Sequence, residues 1–465
     1  MKKTAVLGAG FSGLSAAWQI GKLKEYEVTL YEKNDVIGGL CGFCDFNGIK
    51  LDYGPHKIYS VLPGIMEKLK ELGKDRLIEI NKKHRIILRG KMLDYPVRLG
   101  QVISIFTLPE IAELSLSVLA ALAYSPFLKQ ADSYEDYCQG IFGKKIYEVV
   151  FRPLAEKIWG NPKSLSAEIA KRRIPTKNIY DLLLRALGIK KESKLTNAEI
   201  IFYPRYGFHD ICDSMAQEIE RSGGSIRVKK RPSRFIINNN NIEAIVFDDC
   251  KEERCDIVIS SIPLYELIKL LFPEDKDIID KTNFIKMRHC VMVYLLVNKP
   301  RVLSDHWLFC ADKEFIFSRI SEQKLISDYG FPEDKTVICC DFTCGGEEST
   351  WKESDDALVQ MCIHGLNKLK IIGKEDVADR CVVRIPEFYP SYESGYEEKR
   401  KSLFDKINKI GNIICTGRLG LSDYYNVDHC LDMANLIAMQ LAAGEPPARI
   451  NSSLIEKTKS YRIVD

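Results

Sequence analysis

The sequence has no second Cys-x-x-Cys to accompany Cys41 and Cys44, no His pair at zinc-ligand spacing, no long run of like charge, no internal repeat and no low-complexity linker. Each absence removes a class. Without those partners, Cys41, Cys44 and the adjacent Cys339-Cys340 read as small buried hydrophobes, and no metal is expected. The fifteen cysteines follow no framework spacing, which suits free thiols in a reducing cytoplasm. A net charge of +3 is too mild for a nucleic-acid partner, and the basic stretch VKKRPSR reads as a solvated strand end. The longest uncharged run, Leu114 to Leu128, is too short to cross a bilayer. It is expected to be a core helix, with peripheral membrane contact as the lesser reading. MKK before an apolar stretch imitates a secretory leader, but that stretch is needed as a strand, so no leader is expected. Oligomeric state is left open.

What is present begins with AVLGAGFSGLSAAWQI. A short apolar strand runs into Gly8, Gly10 and Gly13 and then into an Ala-rich helical pattern, the context a dinucleotide-binding turn requires. Gly8 permits the tight turn, Gly10 lets a pyrophosphate approach the backbone, and Gly13 lets helix and strand pack closely. A second strand, EVTLYE, ends in Glu32, placed to accept hydrogen bonds from an adenosine ribose. Gly38-Gly39 and then Asp52-Tyr53-Gly54-Pro55-His56 follow. The order E-x5-GG and D-x-G-x-H resembles the FAD-binding motif of the flavin amine oxidase superfamily, and it implies FAD rather than NAD, with His56 beside the flavin ring.

At 465 residues and 46% hydrophobic content, two or three domains are expected. The fold class is α/β: a Rossmann-like FAD-binding domain interleaved with a helical segment and an antiparallel-sheet substrate domain. Residues 1–85, 197–262 and 385–447 are assigned to the cofactor domain. Residues 86–196 are mostly helical, broken by a hairpin in HRIILRGKMLDYPV that turns at Arg89-Gly90. Residues 263–384 are β-rich, with strands in MVYLLV, WLFCA, FIFSRI and TVICCDF. Residues 448–465 are left as a tail.

FRPLAEKIWGNP, then AKRRIP, GPHKIYS, EFYPSYESGY and TGRLGLSDYYNVDH, together resemble the UDP-galactopyranose mutases across nearly the whole chain. That group sits within a wider one of protoporphyrinogen-oxidase-like and amine-oxidase-like flavoenzymes. The resemblance implies a cofactor shell of Gly8, Gly10, Phe11, Ser12, Gly13, Glu32, Lys33, Gly38, Gly39, Leu40, Gly54, His56, Gly417, Arg418 and Asp428. It also implies a non-redox isomerisation of a nucleotide sugar between pyranose and furanose, for cell-surface polysaccharide synthesis. There, N5 of reduced flavin attacks the anomeric carbon, and NADPH or NADH is a candidate reductant.

Read by chemistry alone, Arg152, Arg173, Arg319 and Arg418 are candidates to clamp a diphosphate, because guanidinium matches phosphate oxygens with paired donors. Trp159, Tyr389, Tyr424 and Tyr425 are candidates to stack on a base or sugar. His56, Arg173, Arg319 and Arg418 form the candidate catalytic set, and Arg152 with the four aromatics the candidate substrate set. Two departures bear on the ligand. Leu154 stands where the bacterial mutases carry a Tyr, and Cys340 where they place a basic residue. The alternative is an FAD-dependent oxidoreductase of the amine oxidase or protoporphyrinogen oxidase type, and a non-catalytic scaffold is the remaining option.

Overall fold

The buried run Thr4 to Leu7, preceded by two exposed lysines, makes the strand Lys2–Leu7 the centre of a five-stranded sheet. The computed structural model describes residues 1–94, 99–124, 131–174 and 198–463. In that sheet the strands lie in the order Ile413–Cys415, Ile257–Ser260, Lys2–Leu7, Tyr26–Tyr31, Ser225–Arg227, and every pairing is parallel. A parallel sheet is stable only when both faces are covered. The helix Phe11–Gly21, buried from Gly13 through Ile20, packs between the helices His209–Arg221 and Val427–Ala442. Three far-apart stretches of chain thus complete one cofactor-type domain.

The Asn run forms the expected hairpin. Asn239 and Asn240 take φ of 47° and 60°, the left-handed pair of a tight two-residue turn that Asn tolerates. The hairpin at Arg89-Gly90 also forms, with φ of 55° and 69°. Its strands, His84–Leu88 and Lys91–Asp94, do not belong to the helical segment. They extend the substrate sheet, His84–Leu88 pairing in parallel with Trp307–Cys310. The resulting sheet has seven strands, in the order Val377–Pro390, Met287–Val297, Thr336–Gly345, Arg319–Glu322, Trp307–Cys310, His84–Leu88, Lys91–Asp94. Of FIFSRI only the last two residues are in a strand. Phe315 and Phe317 are packed instead into the core beneath the helix Asp355–Lys368. The strand Val377–Pro390 runs through the boundary expected at 385.

Two further corrections have physical causes. The expected tail is a helix, Pro447–Thr458, held by the wholly buried Asn451. Its amide donates to the Ile413 carbonyl at 3.0 Å and its Oδ1 accepts the Cys415 N–H at 2.9 Å, so a polar side chain satisfies the edge strand. The apolar run is the helix Leu108–Tyr124, but it is not a core helix. Leu114 is buried, while Leu108, Leu116 and Leu119 are 81%, 67% and 60% exposed. Residues 125–128 of that run lie outside the described residues. Among the described residues no helix is long and apolar enough to cross a membrane.

Candidate active site

The glycine turn opens onto the carboxyl ends of the parallel strands, where ligands of such sheets bind. Gly8 has φ of 92°, and a Cβ there would stand 2.7 Å from Ser261 Oγ. A Cβ on Gly13 would collide with the Gly8 carbonyl, so this glycine serves helix-strand packing and lies outside the cavity. Gly39, with φ of 55°, meets the Gly10 Cα at 3.0 Å from where its Cβ would be, and Gly38 N–H donates to the Ala9 carbonyl at 2.8 Å. The two glycine stretches therefore press backbone on backbone, leaving amides and no side chains along one wall. On the other side Gly417, φ 80°, abuts Ser12 where a Cβ would collide. Glu32 closes the far end. Its carboxylate accepts the Ala9 N–H at 2.8 Å and the Asn34 N–H at 2.9 Å, which fixes it at the end of its strand.

From Glu32 a cavity of about 890 Å³ continues past Lys33, Gly38, Leu40 and His56 to Tyr389, Arg418 and Tyr424. This volume is at the upper end of the usual range for small-molecule and cofactor sites. Phe11, Ser12 and Asp428 also line it, the last held by a 2.9 Å hydrogen bond from Ser60 Oγ. Gly54 turns the chain with φ of 75°, its N–H donating to the Asp52 carbonyl at 2.7 Å, so that Pro55 and His56 face inward. The His56 ring stacks on Phe208 with centroids 4.8 Å apart. Burial, then the positive charges of Arg319 and Arg418, push the His56 pKa down to about 3, so the imidazole is neutral at physiological pH. Arg319 is half-buried and pairs with the buried Asp341, Nε to Oδ2 2.8 Å, so its charge is matched there.

Beyond His56 five predicted residues come together in a column. The Arg173 guanidinium lies 4.8 Å from the Trp159 ring and 4.7 Å from the Tyr424 ring. The Arg418 guanidinium lies 4.5 Å from the Tyr424 ring centroid and 5.5 Å from that of Tyr389, and the two tyrosines stack on each other at 5.4 Å. Each guanidinium thus rests against two aromatic rings, held by quadrupole attraction. Arg418 is fixed further by donating Nε and Nη2 to the Tyr425 carbonyl at 3.1 and 2.8 Å. The scaffold beneath is Asp423. It receives Arg172 Nη1 at 2.9 Å and Arg400 Nη1 at 2.7 Å, and it accepts the Tyr424 N–H at 2.7 Å. Because Arg172 precedes Arg173 and Asp423 precedes Tyr424, this buried ion pair sets the two column members side by side.

One expected site residue falls elsewhere. Arg152 pairs with Glu156 at 2.8 Å, one turn along its own helix, and does not border the cavity. Tyr425 contributes to the cavity lining, but its ring is buried edge-on to His429 and Tyr461 with the hydroxyl on Asp423 at 3.1 Å, so it serves the scaffold. Trp159 and Arg173 border a smaller recess behind Tyr424 rather than the main cavity. Both departures noted in the sequence are also remote. Leu154 packs beside Leu88 and Leu93, and Cys340 is buried in the substrate-sheet core near Cys362. Sequence reasoning missed Asn426 and the segment Ser261 to Pro263, which line the cavity. The buried strand CDIVISSIP was a usable signal, since the residues after a central parallel strand meet the ligand.

Residues 6–72 match a family model described as an NAD(P)-binding Rossmann-like domain. A coproporphyrinogen III oxidase of Staphylococcus aureus (strain NCTC 8325 / PS 47) is 20% identical over 434 residues, 86% of this chain and 91% of that protein. A solved structure of reduced UDP-galactopyranose mutase superposes with a TM-score of 0.80, covering 97% of this chain and 98% of that one at 18% identity. The chain has the fold of the UDP-galactopyranose mutase-like flavoproteins. A 1-hydroxycarotenoid 3,4-desaturase of Flavobacterium sp. (strain P99-3) is also similar, 24% identical over 307 residues, and the chain spans 59% of its length. The glycine cradle and the D-x-G-x-H turn thus belong to a fold shared by an isomerase and by oxidoreductases.

Proposed function

We propose that the protein binds FAD and acts as a UDP-galactopyranose mutase-like isomerase, interconverting pyranose and furanose forms of a nucleotide sugar. The cavity suits FAD on three counts: backbone amides without side chains along the glycine wall, Glu32 at the ribose end, and the His56 turn at the other. Gly8, Gly10, Ser12, Gly38 and Gly39 would hold the pyrophosphate, and Arg319 and His56 would border the ring. Reduced flavin would supply a nucleophilic nitrogen at that end of the cavity.

The observation that carries the reading is the column Trp159, Arg173, Tyr424, Arg418, Tyr389. Guanidinium groups present paired donors to diphosphate oxygens, and the tyrosine and tryptophan faces give a sugar or base an apolar wall with polar tips. Arg418, held through two bonds to a carbonyl, keeps its charge unmatched by any carboxylate among the described contacts and so favours an anion. An amine substrate would instead be repelled by the same charges.

The test is redox dependence. Anaerobic protein reduced with dithionite or a nicotinamide should interconvert the two ring forms of a nucleotide sugar and leave its flavin reduced after many turnovers. The second reading, an FAD-dependent oxidoreductase, is favoured by the oxidase and desaturase relatives. Turnover of a porphyrinogen or amine by the oxidised protein with matching oxygen uptake, and no sugar isomerisation by the reduced protein, would replace the first reading with the second.

A further inference from the structure

Behind His56 lies a carboxyl group with no part in the site as described. Asp52 is buried at the end of the strand Ile49–Asp52, and its side chain is held from two directions. Tyr203 Oη donates to Oδ2 at 2.6 Å and the Phe208 N–H donates to Oδ1 at 3.0 Å. The backbone is pinned as well. Tyr294 Oη donates to the Asp52 carbonyl at 2.7 Å, and the Asp52 N–H donates to Gln323 Oε1 at 2.9 Å. A carboxylate fixed by two donors at this depth has room for a third, and His56 Nδ1 stands 3.8 Å from Oδ2. That nitrogen is buried and has no hydrogen-bond partner. The two unsatisfied needs face each other.

The geometry points to Asp52 as the positioning residue of His56: its carboxylate accepts a hydrogen bond from Nδ1–H of the neutral imidazole, which leaves Nε2 unprotonated on the cavity side. The separation shortens to a hydrogen bond with a small rotation of the ring, as such contacts do when a ligand fills a site. Three charged groups face His56. Asp52 lies on the Nδ1 side, and Arg319 and Arg418, from the substrate sheet and the C-terminal segment, act from elsewhere in the cavity wall. Both arginines oppose a second proton on the ring, so Nε2 is a hydrogen-bond acceptor and not a base. Burial raises the Asp52 pKa to about 7, against the pull of Tyr203 and Phe208, so its ionised form has need of one more donor at neutral pH. A bare Nε2 favours a cofactor edge that presents an N–H, as reduced flavin does, over one that presents a lone pair. Asp52 would thereby bias the bound cofactor toward its reduced form without touching it.

The inference rests on FAD filling the cavity and not on the identity of the substrate. The experiment is nitrogen-15 spectroscopy of the imidazoles in the FAD-loaded protein, the seven histidines being few enough to assign His56 by its loss in His56→Gln. At a pH well above 7, where Asp52 is ionised, the expected result is protonated Nδ1 and unprotonated Nε2 in the wild type. In Asp52→Asn the tautomer should switch and the flavin midpoint potential should fall, while Tyr203→Phe should keep the wild-type tautomer. A wild-type spectrum with the proton on Nε2 would overturn the assignment whether or not any variant folds. An unchanged tautomer in folded Asp52→Asn would do the same. Failure of sugar isomerisation would leave these spectra untouched, so the two readings fail separately.

Discussion

Replacing Asp423 by Asn removes one negative charge from between two buried guanidiniums while keeping the shape of the side chain. The arginines, acting against its burial, hold its pKa down to about 2, nearly two units below the unfolded value of about 4. At about 1.4 kcal/mol per unit, the ionised form is favoured by roughly 2.6 kcal/mol in the folded state. Asn stands in for the protonated acid, so Asp423→Asn should cost about 2.6 kcal/mol. Asp423→Ala, which also removes the hydrogen-bond acceptors, should cost about 3–5 kcal/mol, the range for leaving a buried charge unpaired. The folded-state pKa is depressed, so the stabilisation is complete above about pH 4 and is lost as the pH falls through about 2. The assay is the urea midpoint of wild type and Asp423→Asn at pH 7 and near pH 2.5. The difference at pH 7 should shrink markedly near pH 2.5. Equal midpoints at pH 7, or a difference that persists undiminished in acid, would refute the claim that Asp423 carries the charge balance beneath the column.

Gly39→Val and Gly417→Val place side chains against the Gly10 backbone and the Ser12 side chain, and the purified variants should lose bound FAD, read by flavin absorbance and by mass of the released cofactor. Arg173→Ala and Arg418→Ala should each weaken binding of a uridine diphosphate ligand by roughly 1.5–3 kcal/mol, measured by titration, with FAD content near wild type. Arg152→Ala, whose guanidinium is spent on Glu156, should leave that affinity unchanged. On the exposed helix, Leu116→Ser and Leu119→Ser should alter the urea-derived stability by no more than about 0.5 kcal/mol. Leu114→Ala on the buried face should cost about 2 kcal/mol or more.

The cofactor cradle was legible because its determinants are local. Gly8, Gly10 and Gly13 fix a turn, and Glu32 follows by the length of one helix and one strand. The members of the column were legible as residue types, but their coming together was not, since Trp159, Arg173, Tyr389 and Tyr424 are brought together by three separate segments. Tyr424 and Tyr425 show the limit most directly. Adjacent in sequence and identical in chemistry, they have different neighbours, Tyr424 stacking on Tyr389 and Tyr425 meeting His429 and Tyr461, and Asp423 holds the first by its N–H and the second by its hydroxyl. Arg152 was overassigned because a guanidinium in sequence does not reveal that Glu156 sits one turn away. The tail was underassigned for a similar reason: INSS reads as polar, yet Asn451 is buried because it completes the hydrogen bonds of an edge strand.

That edge strand has a consequence for the order of events during synthesis. The glycine turn leaves the ribosome first, but the sheet that presents it is not finished until Ile413–Cys415 has paired beside Ile257–Ser260. Roughly 380 residues separate the second strand from the last, about 20 to 80 s of elongation. Through that interval the sheet that carries the dinucleotide motif keeps an open edge, first along Lys2–Leu7 and then along Ile257–Ser260, with its covering helix Val427–Ala442 still unmade. Cofactor capture is therefore a late event, and a chain stopped anywhere before residue 442 should be handed to chaperones as an apoprotein rather than released with flavin.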